Sequence, residues 1–248
     1  MANPRFYLDI STAELDEALS TGGAVTLSEE AAHHAGRALR LRTGEAVTIF
    51  NNTGAEWSGT IEFSKAATTV SITAKSEPQR ESPISITLFQ ALVAPEKTDW
   101  IVEKAVELGV SELILMPAER SVTKLTAERA QKRLSKLESL IVSSSEQCGR
   151  NTLMRIRFVP NLKEALESAT ADVKLILAPA ATPSELVLEG TKSVVVAVGP
   201  EGGFSEAEIA LAVELGWHAK LLGPRVMRTE TAGLAAAVWL NTLVGDFR

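Results

Sequence analysis

Apolar and polar positions alternate over residues 45–50, resume over 57–63 and again over 68–75, with Asn51, Asn52 and Gly54 placed to turn the chain between the first two runs. A period of two marks half-buried strands, so this part predicts a small antiparallel β unit. Ser11 stands three residues before Glu14, and Ser28 is followed by Glu29 and Glu30. Both patterns read as helix N-caps and place brief helices ahead of the strands. His33 and His34 fall on the second helix. Adjacent helical positions face different ways, so one buried and one exposed histidine is expected, with a phosphate contact as the alternative.

Residues 76–83 hold two prolines, a glutamine and several charges without an apolar period, and read as a linker. Beyond it the pattern changes class. A strand over 84–94 precedes a helix over 97–108 with Ile101, Ala105 and Leu108 on one face. A strand over 112–117 follows, then a long helix over 127–147 carrying Leu134, Leu137 and Ile141, and a strand over 174–178. Thr182, Pro183 and Glu185 form a capping box with proline at the first helical position. Strand 194–198, helix 205–215, strand 219–222 and helix 230–244 complete the order. Alternation of this kind implies an α/β domain with a mostly parallel sheet covered on both faces. The expected division is residues 1–77 for the β domain and 78–248 for the α/β domain.

Composition narrows the class. The 45% apolar fraction suffices for a sizeable core, and no apolar run approaches a membrane span. Cys148 is the one cysteine and cannot form an intrachain disulfide, which points to a reducing compartment, the cytoplasm. His33, His34, His218 and Cys148 lack metal-ligand spacing, so no metal is expected. The net charge of −6 opposes binding of a polyanion by long-range attraction alone, so any such binding must use local clusters. Arg120, Lys124, Arg129, Lys132, Arg133 and Lys136 form one, followed by Arg150, Arg155 and Arg157. A solvated helix face accounts equally well for residues 129–136.

The chemistry concentrates in two loops. Val198-Gly199-Pro200-Glu201-Gly202-Gly203-Phe204-Ser205 lies where an apolar strand ends and a helix begins, the place where open α/β sheets bind ligands. Its glycines permit sharp turns and close backbone approach to a flat ligand; a tight turn with no ligand is the alternative. Neither the dinucleotide fingerprint nor a P-loop is present. Ser205 and Glu208 form a capping box. The second loop runs Leu221-Leu222-Gly223-Pro224-Arg225-Val226-Met227-Arg228-Thr229-Glu230-Thr231-Ala232 and again joins strand to helix. Thr229 is placed to cap the last helix and Glu230 to complement its dipole. Arg228 has no such structural role and suits a bound anion, either a phosphate or a base losing its proton. Arg225 could act likewise or be solvated.

These two strings resemble the signature loops of the RsmE family, the ribosomal small-subunit RNA uridine N3-methyltransferases of the SPOUT superfamily. Glu96-Lys97, Glu103-Lys104-Ala105 and Glu107-Leu108-Gly109-Val110 resemble the first helix of that family's catalytic domain. Glu119-Arg120-Ser121 and Glu146-Gln147 with Arg150 resemble the loops that follow. Arg5-Phe6, His33-His34, Arg40 and Gly44 resemble its PUA-like RNA-binding part, a small β-barrel. Pro224 and Met227 depart from the pattern, where a basic and another aliphatic residue are expected.

The resemblance implies a SPOUT fold with a C-terminal trefoil knot and a homodimer using the last helix, with Leu234, Ala235, Val238, Trp239 and Thr242 at the interface; core packing is the alternative for the same stripe. It implies S-adenosylmethionine as methyl donor, leaving S-adenosylhomocysteine, and N3 of uridine 1498 in 16S ribosomal RNA as acceptor. Cofactor contacts would come from Leu177, Ala178 and Pro179; from Val198, Gly199, Pro200, Glu201, Gly202 and Gly203; and from Leu221, Leu222, Gly223, Val226, Met227, Thr231 and Ala232. Arg228 is the expected stabiliser of charge on the base, with Arg150 a second candidate. Glu201 would orient the cofactor or accept a proton, or else bond to nearby backbone amides. Arg5, His34, Arg37, Arg40, Arg120 and Arg150 are the expected RNA contacts. The competing readings are another SPOUT specificity, a non-catalytic RNA-binding or assembly protein, and, more remotely, a nucleotide-dependent oxidoreductase.

Overall fold

A computed structural model of the chain describes residues 3–123, 127–179 and 186–247. Lys124, Thr182, Pro183 and Glu185 lie outside the described residues. Two compact units are formed, Met1–Glu81 with Val142–Leu153, and Ser82–Ile141 with Met154–Arg248.

In the first unit β1 (Arg5–Tyr7), β2 (Ala24–Thr26), β3 (Ala46–Phe50), β4 (Glu56–Phe63) and β5 (Thr68–Ser76) form one sheet in the order β1-β3-β4-β5-β2. The antiparallel pairing read from the sequence holds for β3-β4-β5; the unread strand β2 adds antiparallel to β5, and β1 runs parallel to β3. That pairing joins Arg5 to Thr48 across a long sequence separation, which no local pattern announces. Alternation along β4 turns Trp57 and Ile61 into a core with Phe6, Leu15, Ile49 and Val70. Helix α1 (Thr12–Thr21) opens with the Ser11–Glu14 capping box, and α2 (Glu29–His33) is capped by Ser28. Helix α2 runs into a π turn, His34–Ala38, of which only Ala35 is buried. His33 and His34 are therefore both exposed, correcting the expectation of one buried ring: the short helix has too little apolar face to bury either.

The second unit carries a six-stranded sheet in the order β11-β9-β10-β6-β7-β8, with every pairing parallel. The strands are β6 (Ser85–Ala91), β7 (Glu112–Met116), β8 (Arg155–Phe158), β9 (Val173–Leu177), β10 (Ser193–Val198) and β11 (His218–Lys220). Between and after them run α3 (Pro95–Glu107), α4 (Ala127–Cys148, of which residues 142–148 belong to the first unit), α5 (Leu162–Ser168), α6 (Glu206–Glu214) and α7 (Thr229–Leu243). Both sheet faces are covered, as the alternation predicted. Phe89, Ile114, Val195 and Ala197 pack with Leu166 of α5, Ala212 of α6 and Trp217. On the other face Gly233 of α7 lets that helix approach Val198 and Leu88 so closely that an added Cβ would sit 3.3 Å from Val198 Cγ2.

The strand expected over 84–94 stops at Ala91, because residues 92–94 lead into Pro95 at the start of α3. Strand β8 and helix α5 were not read from the sequence; each is short, and β8 is an edge strand with half its residues exposed. Since all strands are parallel, the C-terminal ends of β9, β10 and β11 lie side by side along one sheet edge.

Candidate functional site

A cavity of about 540 Å³ opens at that edge, lined by the segments leaving β9, β10 and β11. Parallel strands make the site: three successive strand-to-loop exits share one border and converge. Leu177 to Pro179, Val198 to Phe204 and Lys220 to Thr229, except for Pro224, line it, together with Lys97, Arg120, Glu206, Ile209 and Ala232.

The glycine loop is folded tightly on itself. Gly203 N donates to Pro200 O at 2.9 Å, and Gly203 has φ +66°, a left-handed conformation that glycine adopts without strain. A Cβ on Gly199 would lie 2.9 Å from Phe204 N and 3.0 Å from Gly203 C, both backbone atoms. The Ser205–Glu208 capping box then starts α6, and Glu208 Oε1 also accepts from Glu119 N at 2.7 Å. Arg120 closes the same side: its Nη1 donates to Gly202 O at 3.0 Å, and its stem covers the face of Gly202.

The second loop ends at α7, whose N-cap is Arg228 with no side-chain capping bond. The expected cap, Thr229, is instead buried and turned inward. Its hydroxyl donates to Gly199 O at 2.6 Å and accepts from Gln90 Nε2 at 2.9 Å, while Gln90 Nε2 also donates to Ala91 O. Arg228 lines the cavity with its side chain 83% exposed and Nη1 4.0 Å from Glu230 Oε1.

Glu201 was expected either at the cofactor or on backbone amides. Its Oε1 is 2.8 Å from Lys97 Nζ, and that hydrogen bond holds its carboxyl below the usual carboxylate range. The same bond raises the Lys97 ammonium above its ordinary value, and Glu230 Oε2 at 3.4 Å adds to the effect.

Of the expected cofactor residues, Leu177, Ala178, Pro179, Val198, Gly199, Pro200, Glu201, Gly202, Gly203, Leu221, Leu222, Gly223, Val226, Met227 and Ala232 meet at the cavity, and Thr231 does not. Arg150 is not among the lining residues. It belongs to the first unit, with its side chain only 6% exposed and Nη2 2.6 Å from Glu81 Oε2. Arg5 is similarly buried, bonded to Glu56 Oε2 at 2.8 Å and to Asn151, with its guanidinium over the Phe50 ring. Both arginines, expected at RNA, are consumed by internal partners. His34, Arg37 and Arg40 are exposed, and Arg40 holds a left-handed backbone at φ 55°. Outside glycine such a conformation costs about 1–3 kcal/mol and gathers at functional segments.

Sequence reasoning missed Lys97 and Gln90 as parts of the site. Gln90 did leave a sign, a lone amide in the apolar run Leu88-Phe89-Gln90-Ala91-Leu92; Lys97 stood in the Glu96-Lys97 string of the family resemblance but carried no site role there. Among the described residues no three His, Cys, Asp or Glu side chains gather as metal ligands, and no helix is long and apolar enough to cross a membrane.

Comparison with known proteins places this geometry. The family described as RNA methyltransferase domain matches residues 80–241, and the RNA methyltransferase PUA domain matches residues 27–68. Ribosomal RNA small subunit methyltransferase E of Buchnera aphidicola subsp. Schizaphis graminum is 32% identical over 92% of this chain and 94% of its own. Ribosomal RNA small subunit methyltransferase E from Neisseria gonorrhoeae, solved bound to S-adenosylmethionine, superposes with a TM-score of 0.89 at 33% identity and full coverage of both chains. A Legionella pneumophila protein solved with the same cofactor gives 0.88 at 33% identity, again with full coverage.

Proposed function

Because the chain belongs to the RNA methyltransferase family of ribosomal RNA small subunit methyltransferase E, we propose that it methylates 16S ribosomal RNA from S-adenosylmethionine, at N3 of uridine 1498. The observation that carries the reading is the single cavity where the glycine loop, the β9 exit and the Arg228 loop converge.

The residues present fit the methyl donor. Gly199 lets the loop close on its own backbone at Gly203 and Phe204 and so shapes a main-chain cradle, and Leu177, Val198, Ile209, Leu222 and Met227 offer apolar walls for a flat base. When bound, S-adenosylmethionine supplies an already activated methyl group on a sulfonium. Uridine N3 carries a proton and is a poor nucleophile until that proton leaves to solvent water. The protein's task is to align N3 and to favour the base anion. Alignment draws on the roughly 7–11 kcal/mol available to well-oriented reactants. Arg228 stabilises the developing charge from the α7 N-terminus, where the helix dipole adds positive potential. Glu201, held ionised by Lys97, serves the architecture of the loop rather than proton transfer.

His34, Arg37 and Arg40 in the first unit and Arg120 at the cavity are the proposed RNA contacts. With an acidic chain, a structured target read by shape suits them better than a long basic surface. The C-terminal knot, the homodimer and a cytoplasmic setting belong to the same proposal. Exposed Val238 and Leu243 on α7 support a paired helix face. Labelled S-adenosylmethionine incubated with undermodified small subunits, followed by mapping of the product, tests the whole. Transfer to N3 of the one uridine is expected, and absence of RNA labelling overturns the proposal.

A further inference from the structure

Lys97 stands in the first turn of α3, yet its ammonium reaches two carboxylates on two other elements. Glu201, at 2.8 Å, belongs to the glycine loop after β10, and Glu230, at 3.4 Å, belongs to the first turn of α7. Helix α3 packs directly on α7, so its N-terminal turn is held near both loops. Glu230 Oε2 is buried and makes no hydrogen bond, leaving the Lys97 charge as its compensation. The other oxygen of Glu230 faces Arg228 at 4.0 Å. One cation therefore joins the loop that lines the cavity to the helix start that presents Arg228. Without it, two neighbouring carboxylates repel and Glu230 keeps only the more distant Arg228, at 4.0 Å.

We propose that Lys97 is a positioning residue of the methyl-transfer site, pinning Glu201 and Glu230 to one another and so fixing the spacing between the glycine loop and Arg228. The proposal rests on the function argued above. Lys97 lines the cavity but its ammonium is already shared by two acids, which separates it from Arg228, whose exposed guanidinium has only the 4.0 Å contact with Glu230 and faces the cavity. The lowered Glu201 and raised Lys97 values agree with a pair that stays ionised throughout the neutral range. Partly exposed ion pairs add little to global stability, so the effect of losing this one falls on loop geometry.

The test uses the full chain with Lys97→Met, Lys97→Arg, Glu201→Gln and the Lys97→Met/Glu201→Gln double variant. Melting temperature, calorimetric affinity for S-adenosylmethionine, and kcat and KM on undermodified small subunits are read for each. Lys97→Met is expected to cut kcat about tenfold and weaken cofactor affinity several-fold with little change in melting temperature. Lys97→Arg should restore most of both. The double variant should be no worse than the poorer single, the signature of residues acting as one unit. Wild-type kcat and affinity in Lys97→Met would overturn the proposal. So would a multiplicative loss in the double variant, or a rise confined to the KM for RNA, which marks a phosphate contact. If Lys97→Met does not fold, Glu201→Gln alone must show the same kinetic loss. A wild-type protein that binds the cofactor but methylates no RNA defeats the functional reading alone, since the cofactor affinities of the variants still decide the role of Lys97.

Discussion

Thr229 Oγ1 donates a 2.6 Å hydrogen bond to the carbonyl of Gly199, thirty positions earlier in the chain. Gln90, buried in the middle of the sheet, donates to the same hydroxyl at 2.9 Å. The glycine loop is thus tied through a threonine to the C-terminal end of β6, and its conformation is set from beneath rather than by its own sequence alone. Such a chain of buried polar groups is costly to interrupt, because each orphaned donor or acceptor loses water without gaining a partner.

Thr229→Val keeps the shape and removes the hydroxyl. It leaves Gly199 O and one hydrogen of Gln90 unpaired, each worth about 1–3 kcal/mol. A thermal melt should fall by roughly 2–4 °C for each kcal/mol lost, and calorimetry should show cofactor affinity weakened about tenfold. Thr229→Ser, which retains the hydroxyl, should behave nearly as wild type in both measurements.

Two glycines of one loop should respond differently. At Gly199 an added Cβ meets backbone atoms at 2.9 and 3.0 Å, which cannot step aside without reshaping the turn. At Gly202 it meets the Arg120 stem, with Cβ at 3.2 Å, on a partly exposed and flexible side chain. Gly199→Ala is expected to weaken S-adenosylmethionine binding at least tenfold, and Gly202→Ala no more than about threefold. Equal dissociation constants for the two variants would refute the backbone cradle.

Arg228→Ala should separate chemistry from binding. The side chain is 83% exposed and carries no packing role, so folding and cofactor affinity should stay within about twofold of wild type. Turnover should fall by roughly 10²–10³, the usual loss when a donor to developing charge is removed. Single-turnover methylation beside calorimetry checks both halves.

Glu146 gives a pH signature in the first unit. Burial raises its carboxyl above the ordinary value, against the opposing hydrogen bond from Tyr7 N; the Glu30 charge adds to the rise and the Arg5 charge opposes it. Because the folded value lies above the unfolded one, this group's contribution is most favourable below the unfolded carboxylate range. It is lost as pH rises through the folded value. Glu146→Gln can keep the bond from Tyr7 without the charge. It should therefore raise the melting temperature at pH 7.5, by roughly 2–4 °C per kcal/mol, with the difference from wild type disappearing near pH 4. Melts across that range provide the check.

Local signals were legible in the sequence. The Ser11–Glu14 and Ser205–Glu208 capping boxes formed as read, and the apolar periods located most strands and helices of the parallel-sheet unit. Both glycine-bearing loops came to one cavity because parallel strands align their exits. What stayed hidden depends on contacts between distant residues. An arginine reads the same whether it is solvated or enclosed, so nothing in the chain told Arg5 and Arg150, bonded to Glu56 and Glu81, from Arg228. Thr229 is a good N-cap by type, yet a stronger use for its hydroxyl lay at Gly199. The return of residues 142–153 to the first unit likewise follows from pairings such as Leu153 N to Asn52, which linear patterns do not encode.

Strand β10 lies between β9 and β6, and its register with β6 joins Ser193 to Ser85. The middle of the sheet is therefore completed late in synthesis, after more than a hundred residues have been made and held in waiting. Contacts of such long range are slow to form and expose apolar strands meanwhile. The tether from Thr229 comes later still. On a growing polypeptide the methyl-donor cradle is therefore completed only once residues 220–232 have been added to the β9 and β10 exits.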